Sequence, residues 1–94
     1  LTLTPQAGEL RKGERALSLN AKELELMRLL MLNSNQILPK ETLLMKVWGY
    51  DTEASDNNVE AYISFLRKKL TLLGSKVTIS VVRRVGYRLE EANP

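Results

Sequence analysis

Apolar residues recur at three- and four-residue steps along positions 57–70, at Val59, Tyr62, Ile63, Leu66 and Leu70. That spacing puts them on one face of a helix. The opposite face carries Asn57, Glu60, Ala61, Ser64, Arg67 and Lys68, and Phe65 points to that polar side. The pattern differs elsewhere. In residues 1–19, Leu1 and Leu3, then Leu17 and Leu19, alternate with polar positions, with Pro5, Gly8 and Gly13 between them. This predicts a short antiparallel meander whose apolar face covers a helical core. Asn20 with Glu23 three residues on forms a capping-box variant and opens a first helix over about Ala21–Leu32. Its buried side is assigned to Leu24, Met27, Leu30 and Met31, widened by Leu26 and Leu29.

A polar turn from Asn33 to Gln36 precedes a shorter helix, which follows Pro39 and runs over about Lys40–Val47. It buries Leu43, Leu44 and Val47 and ends at Trp48-Gly49, glycine being usual just past a helix terminus. The loop from Gly49 to Asp56 is polar and acidic, and the long third helix then spans Asn57–Leu72, stopping before Gly74. Val77 to Val82 reads as a β-branched strand, with Val81 and Val82 assigned to the core, and Gly86-Tyr87-Arg88-Leu89 reads as its returning partner. No repeat, low-complexity segment or internal boundary appears, so residues 1–94 are expected to form one domain. The fold class is α+β: an N-terminal antiparallel β-meander, three helices and a C-terminal β-hairpin. The second and third helices form a helix-turn-helix with a long turn, and the hairpin is a wing.

Charge sharpens this picture. The net charge is +3, yet residues 1–55 hold seven Lys/Arg and seven Asp/Glu, while residues 56–88 hold seven cations against Asp56 and Glu60, a net +5. Glu90 and Glu91 in the tail account for the difference. The basic charge therefore lies with the amphipathic helix and the hairpin, an electrostatic footprint for a polyanion. A helix pinned by an apolar stripe, presenting amides, a hydroxyl, cations and one exposed ring beside a basic ribbon, suggests a reader of a DNA groove.

Other chemistry is narrowed by composition. The chain has no cysteine and no histidine, so disulfides, thiolate metal sites and the commonest metal ligand and general base are absent. The carboxylates are scattered and no Gly-rich loop follows a strand; neither an enzyme nor a cofactor or metal site is expected. There is no apolar run near 18 residues and no signal-peptide pattern, so a soluble, cytoplasmic protein without a membrane association is the expectation. The chain begins at Leu1 rather than methionine, which suggests a piece of a longer protein.

Four segments, LSLNAKELELMRLLMLN, ILPKETLLMKVWG, NNVEAYISFLRKKL and VVRRVGYRLE, in this order and spacing, resemble the winged-helix effector domains of OmpR/PhoB-type response regulators over essentially the whole chain. The resemblance implies a transcription regulator whose amino-terminal receiver domain, absent here, is phosphorylated by a sensor kinase and dimerises. It implies effector domains, monomeric when isolated, that bind two direct-repeat half-sites of double-stranded DNA in tandem. It also implies that the loop holding Tyr50, Asp51 and Glu53 contacts RNA polymerase.

The same resemblance assigns base contacts to Glu60, Ala61, Ser64 and Phe65 in the major groove. Glu60 can accept from a cytosine amino group, Ser64 can donate or accept, and Ala61 and Phe65 can meet thymine methyls. The family often has arginine where Ser64 and Phe65 stand, and this departure suggests a T-rich site. Phe65 could instead fold onto the wing or a neighbouring protomer. Arg83 matches the wing arginine that enters a narrow A·T-rich minor groove. Arg84 stands where the family usually has glycine: if that position needs a positive φ, arginine costs stability there and the wing would take a different turn, and Arg84 could equally add a phosphate contact.

Backbone contacts are assigned to Lys40, Trp48, Asn57, Asn58, Tyr62, Arg67, Lys68, Arg84 and Tyr87. Several have a plainer alternative: Asn57 or Asn58 could cap the helix, Trp48 could only fill the core, and Tyr62 could do both jobs. Lys69 leans toward the core side, where it can snorkel, and Arg11, Arg15 and Arg28 read as surface. The rival to DNA binding is a winged-helix module that binds protein through Phe65 as an apolar anchor. A double-stranded RNA reader is weaker still, because RNA's major groove is too narrow for a helix.

Overall fold

A computed structural model describes residues 1–49 and 53–92. Three strands come first, β1 (Thr2–Thr4), β2 (Glu9–Lys12) and β3 (Arg15–Ser18), paired antiparallel in that order. The register sets Leu3 opposite Leu10 and Leu10 opposite Leu17, so one row of leucines crosses all three strands. Leu10 is fully buried at its centre. The meander expected from the sequence is present, but its buried face is carried by this row and Leu19, while Leu1 is exposed.

Helix α1 (Ala21–Leu32) starts at the expected capping box: the Glu23 N–H donates to Asn20 Oδ1 and the Asn20 N–H to Glu23 Oε1, each at 2.9 Å. Its buried stripe is Leu26, Met27, Leu29 and Leu30. Leu24 and Met31, assigned to the main buried side, are only half-buried. The face is rotated because Glu23 itself is buried, using its carboxylate for the cap and for Lys69 of the third helix, whose Nζ donates to it at 3.0 Å and to the Ser18 carbonyl at 2.8 Å. Lys69 is thus a structural cation.

A two-residue strand, β4 (Leu38–Pro39), then leads directly into α2 (Lys40–Trp48). No periodicity announces so short a strand. It exists because Leu38 and Pro39 pair with Tyr87 and Gly86 of the last strand, at a sheet edge where proline is tolerated. The approach is close: a Cβ on Gly86 would lie 2.8 Å from the Pro39 Cα and nearer still to the Leu38 carbonyl. Helix α2 runs one residue further than expected and buries Leu43, Val47 and Trp48, with Leu44 half-buried. Gly49, at φ 62°, ends it, a conformation that a side chain would strain. Lys22 of α1 donates to the Val47 carbonyl at 2.9 Å, tying the end of α2 to the first helix.

Helix α3 (Asp56–Leu72) starts one residue earlier than expected and buries Val59, Ile63, Leu66 and Leu70. Tyr62 lies at the edge of this stripe, half-buried. Each fully buried aliphatic side chain contributes on the order of 1.5–3 kcal/mol, enough for four to hold the helix against the core. The chain closes with β5 (Val77–Val82) and β6 (Gly86–Glu91), paired from Val77↔Glu91 to Val82↔Gly86, giving a second sheet of order β4-β6-β5. Val81 and Val82 are not core residues: Val81 is 56% exposed and Val82 half-buried. Ile79, two positions before Val81 on the same strand face, is buried. The hairpin therefore outruns the core, and its last pairs overhang as a wing.

Candidate nucleic-acid interface

Three elements surround one open groove: the first turn of α2, the exposed edge of α3 and the tip of the β5–β6 wing. It encloses about 490 Å³ and is lined by Lys40, Glu60, Ser64, Arg67, Arg84 and Tyr87, among others. The apolar steps that bury Val59, Ile63 and Leu66 also dictate which side chains face out. Glu60, Ser64, Arg67 and Lys68 are exposed, Ala61 is half-buried, and Phe65 is 47% exposed. The sequence-derived base-facing residues of α3 thus share one accessible side of the helix.

Glu60 of this set, and Lys40 and Asn58 of the expected backbone contacts, are engaged within the protein. Lys40 donates to Glu60 Oε1 at 2.8 Å, joining α2 to α3 across the groove. This hydrogen bond is the main cause of the upward shift of the Lys40 pKa, so the ammonium stays charged. Asn58 takes the capping alternative: its Oδ1 accepts from the Ser55 N–H at 2.8 Å at the start of α3. Asn57 is exposed beside it.

An aromatic row leads from the core to this surface. Trp48 is buried and meets Tyr62 edge-to-face, with ring centroids 5.2 Å apart and planes at 88°. Tyr62 in turn meets Phe65 at 5.5 Å. Lys22 lies 5.9 Å from the Trp48 ring centre, within cation–π range. Phe65 folds onto Tyr62 of its own helix, with about half its surface still open.

At the wing tip the Val85 N–H donates to the Val82 carbonyl at 3.0 Å, closing a turn around the exposed Arg83 and Arg84. Arg84 has φ 64°, the left-handed region in which a non-glycine residue costs roughly 1–2 kcal/mol. The position does hold the strained positive φ, and Arg84 still lines the groove. Sequence reasoning missed Val81 and Val85, both more than half exposed beside the arginines; only the length of the hairpin relative to the core reveals them. Tyr87, assigned to a backbone contact from the sequence, lies at the floor of the same groove. It is 4% exposed, held mainly by the sheet, and burial pushes its phenol pKa up.

Not all of the basic third faces outward. Lys69 is tied to Glu23, and Arg88 Nε lies 2.9 Å from the Glu90 carboxylate, though its N–H is not aimed at it. Arg67, Lys68, Arg83 and Arg84 remain exposed. Glu53 is exposed, whereas Tyr50 and Asp51, the rest of the expected polymerase-facing loop, lie outside the described residues. No helix among the described residues is long and apolar enough to cross a membrane.

Residues 13–89 match the family model described as "Transcriptional regulatory protein, C terminal". The chain is 38% identical over all of its 94 residues to response regulator MprA of Mycobacterium bovis, and spans 41% of that protein's length. Among solved structures it resembles the C-terminal domain of the nisin resistance regulator NsrR, a lantibiotic response regulator, at 32% identity and a TM-score of 0.80; the match covers 98% of this chain and 93% of that one. It also resembles the Klebsiella pneumoniae RstA DNA-binding domain in complex with the RstA box, at 26% identity and a TM-score of 0.76, covering 94% and 88% of the two chains.

Proposed function

The chain belongs to the family of C-terminal domains of transcriptional regulatory proteins, as a DNA-binding domain of the response-regulator type, and we propose from that premise how it reads DNA. Family and fold are those of regulator domains, not of enzymes. Helix α3 enters the major groove with Glu60, Ala61, Ser64 and Phe65 toward base edges. Arg83 enters the adjacent minor groove. Lys40, Trp48, Asn57, Asn58, Tyr62, Arg67, Lys68, Arg84 and Tyr87 are the candidates for backbone contact, the buried Trp48 and Tyr87 only through a polar atom at the surface. The observation that carries this reading is the shared groove: Glu60, Ser64 and Arg67 of α3 and Arg84 of the wing tip border the same opening, and the exposed Arg83 lies next to Arg84.

In the same reading residues 1–94 form one effector domain of a longer cytoplasmic regulator. A receiver domain precedes it and answers to a sensor kinase, and the segment holding Tyr50, Asp51 and Glu53 faces RNA polymerase. The isolated domain is a monomer that binds weakly, and two copies occupy direct repeats, since one module buries limited area.

Selection from a randomised duplex library near physiological salt tests this. The expected product is two similar T-rich half-sites in one orientation, about one helical turn apart. Binding without enrichment would overturn sequence-specific reading by this domain alone. The half-exposed Phe65 supports one second reading, a protein-binding module. Its mark would be no duplex binding even at low salt, since DNA affinity falls steeply with salt as counterions are released.

A further inference from the structure

The pair between Lys40 and Glu60 joins the first residue of α2 to the second turn of α3, at the mouth of the groove. Its side chains are 31% and 54% exposed. Ion pairs this open contribute little to stability, so helix packing alone gives no reason for its position. Glu60 lies one helical turn before Ser64, and both line the groove. Its Oε1 accepts from Lys40, and among the described residues Oε2 has no other partner. Asp56, a further turn back, acts on the same ammonium, as does Tyr87. A lone carboxylate on this edge would meet the negative field of the phosphates; beside Lys40 it is locally neutralised and fixed in one orientation.

We propose that Lys40 is a positioning residue for base recognition, whose ammonium holds one oxygen of Glu60 so that the other is presented to an exocyclic amino group at a single position of the major groove. This rests on the DNA-binding reading above. The amino groups of cytosine and adenine are the donors available in that groove, whereas the guanine O6 and N7 and the thymine O4 are acceptors that a carboxylate disfavours. The pair therefore selects cytosine or adenine over guanine or thymine at one position. Lys40 acting as a phosphate contact would weaken binding to every sequence alike and lower the salt slope by about one.

The test titrates the unaltered chain, Lys40→Met, Lys40→Arg, Glu60→Gln and the Lys40→Met/Glu60→Gln double variant with the selected duplex and its single-base variants. Folding is checked by circular dichroism and thermal melting. Glu60→Gln should lose about tenfold of the preference at one base pair, because an amide donates as well as accepts. Lys40→Met should lose a similar preference at the same base pair, the double variant no more than either single one, and Lys40→Arg should restore most of it. Lys40→Met that keeps the base preference but binds all duplexes more weakly, with a shallower salt slope, would overturn the proposal in favour of a phosphate contact. A lowered melting temperature with unchanged preference would overturn it in favour of a purely structural pair. Failure of the unaltered chain to bind any duplex at low salt is a separate outcome, because it would sink the DNA-binding reading as well.

Discussion

Lys12, on the second strand of the amino-terminal sheet, donates to the carbonyl of Gly74 just past the end of α3, at 2.5 Å. Arg15, across the same hairpin, reaches the Leu72 carbonyl at 3.4 Å. Two cations from one sheet thus meet the negative end of the candidate recognition helix, where each is worth about 0.3–1 kcal/mol and is screened by salt. The meander fixes the far end of α3, as the Lys69–Glu23 pair does one turn earlier. Lys12→Ala combined with Arg15→Ala should lower stability by about 1 kcal/mol, less in high salt. Denaturant unfolding at two ionic strengths measures this. A salt-independent loss would contradict the helix-end account.

Tyr62 separates two aromatic residues of opposite roles. Trp48 on one side is buried, and Phe65 on the other is half open. Trp48→Ala should cost about 3–5 kcal/mol, as expected for an emptied aromatic site in a core. Phe65→Ala should leave the melting temperature nearly unchanged while altering preference at one base position. Selection with the variant checks this, and an unchanged selected sequence would remove Phe65 from the base-reading set.

Most of the fold was legible because periodicity and capping report local structure directly. The Asn20–Glu23 box, the glycine after α2 and the Val59–Leu70 stripe each fix an element in the sequence itself. What was not legible depends on partners distant in sequence. β4 exists only through Tyr87 and Gly86, and the rotation of the α1 face depends on Lys69 reaching Glu23. Val81 looked like core because its strand pattern says nothing about where the core ends. For the site, residue types and the exposed edge of α3 were readable in advance. The Lys40–Glu60 pair was not, because it links positions 20 apart through the crossing of two helices.

The wing tip separates strain from contact. Arg84 at φ 64° should be relieved by glycine, so Arg84→Gly is expected to stabilise the domain by about 0.5–1 kcal/mol. If its guanidinium also meets a phosphate, the same variant binds every duplex more weakly. Arg83→Ala should instead lower affinity with a loss of A·T preference beside the wing. Thermal melting and titration of duplexes differing only in that flank distinguish the two; identical effects from both variants would refute the division of roles.

Burial raises the Tyr87 phenol pKa, with smaller effects from Lys40, Glu60 and Asp56. The folded state thus holds this proton more tightly than the unfolded chain does. That contribution to stability is fully present below the ordinary tyrosine value of about 10 and is lost as pH rises through the higher folded-state pKa. Stability should therefore fall at alkaline pH, and Tyr87→Phe should flatten part of that fall. Ultraviolet titration of the folded protein should show the corresponding phenol ionising late. An alkaline limb unchanged in Tyr87→Phe would assign the loss elsewhere.

Arg67 and Lys68 lie next to each other in the C-terminal half of α3, both exposed and with no ion pair among the described residues, Arg67 bordering the wing groove and both bordering a shallower depression beside it. A cation that neutralises one phosphate releases condensed counterions, so its removal reduces the dependence of log affinity on log salt by about 0.9 on duplex DNA. Arg67→Ala and Lys68→Ala should each show that reduction, with weaker binding to selected and scrambled duplexes in similar proportion. Affinities measured at several salt concentrations for both duplexes supply the slopes. If Arg67→Ala loses affinity only for the selected duplex, Arg67 touches a base rather than the backbone. An unchanged slope in both variants would mean that the cations on this part of α3 meet no phosphate, and that the wing and the amino end of the helix carry the electrostatic attraction.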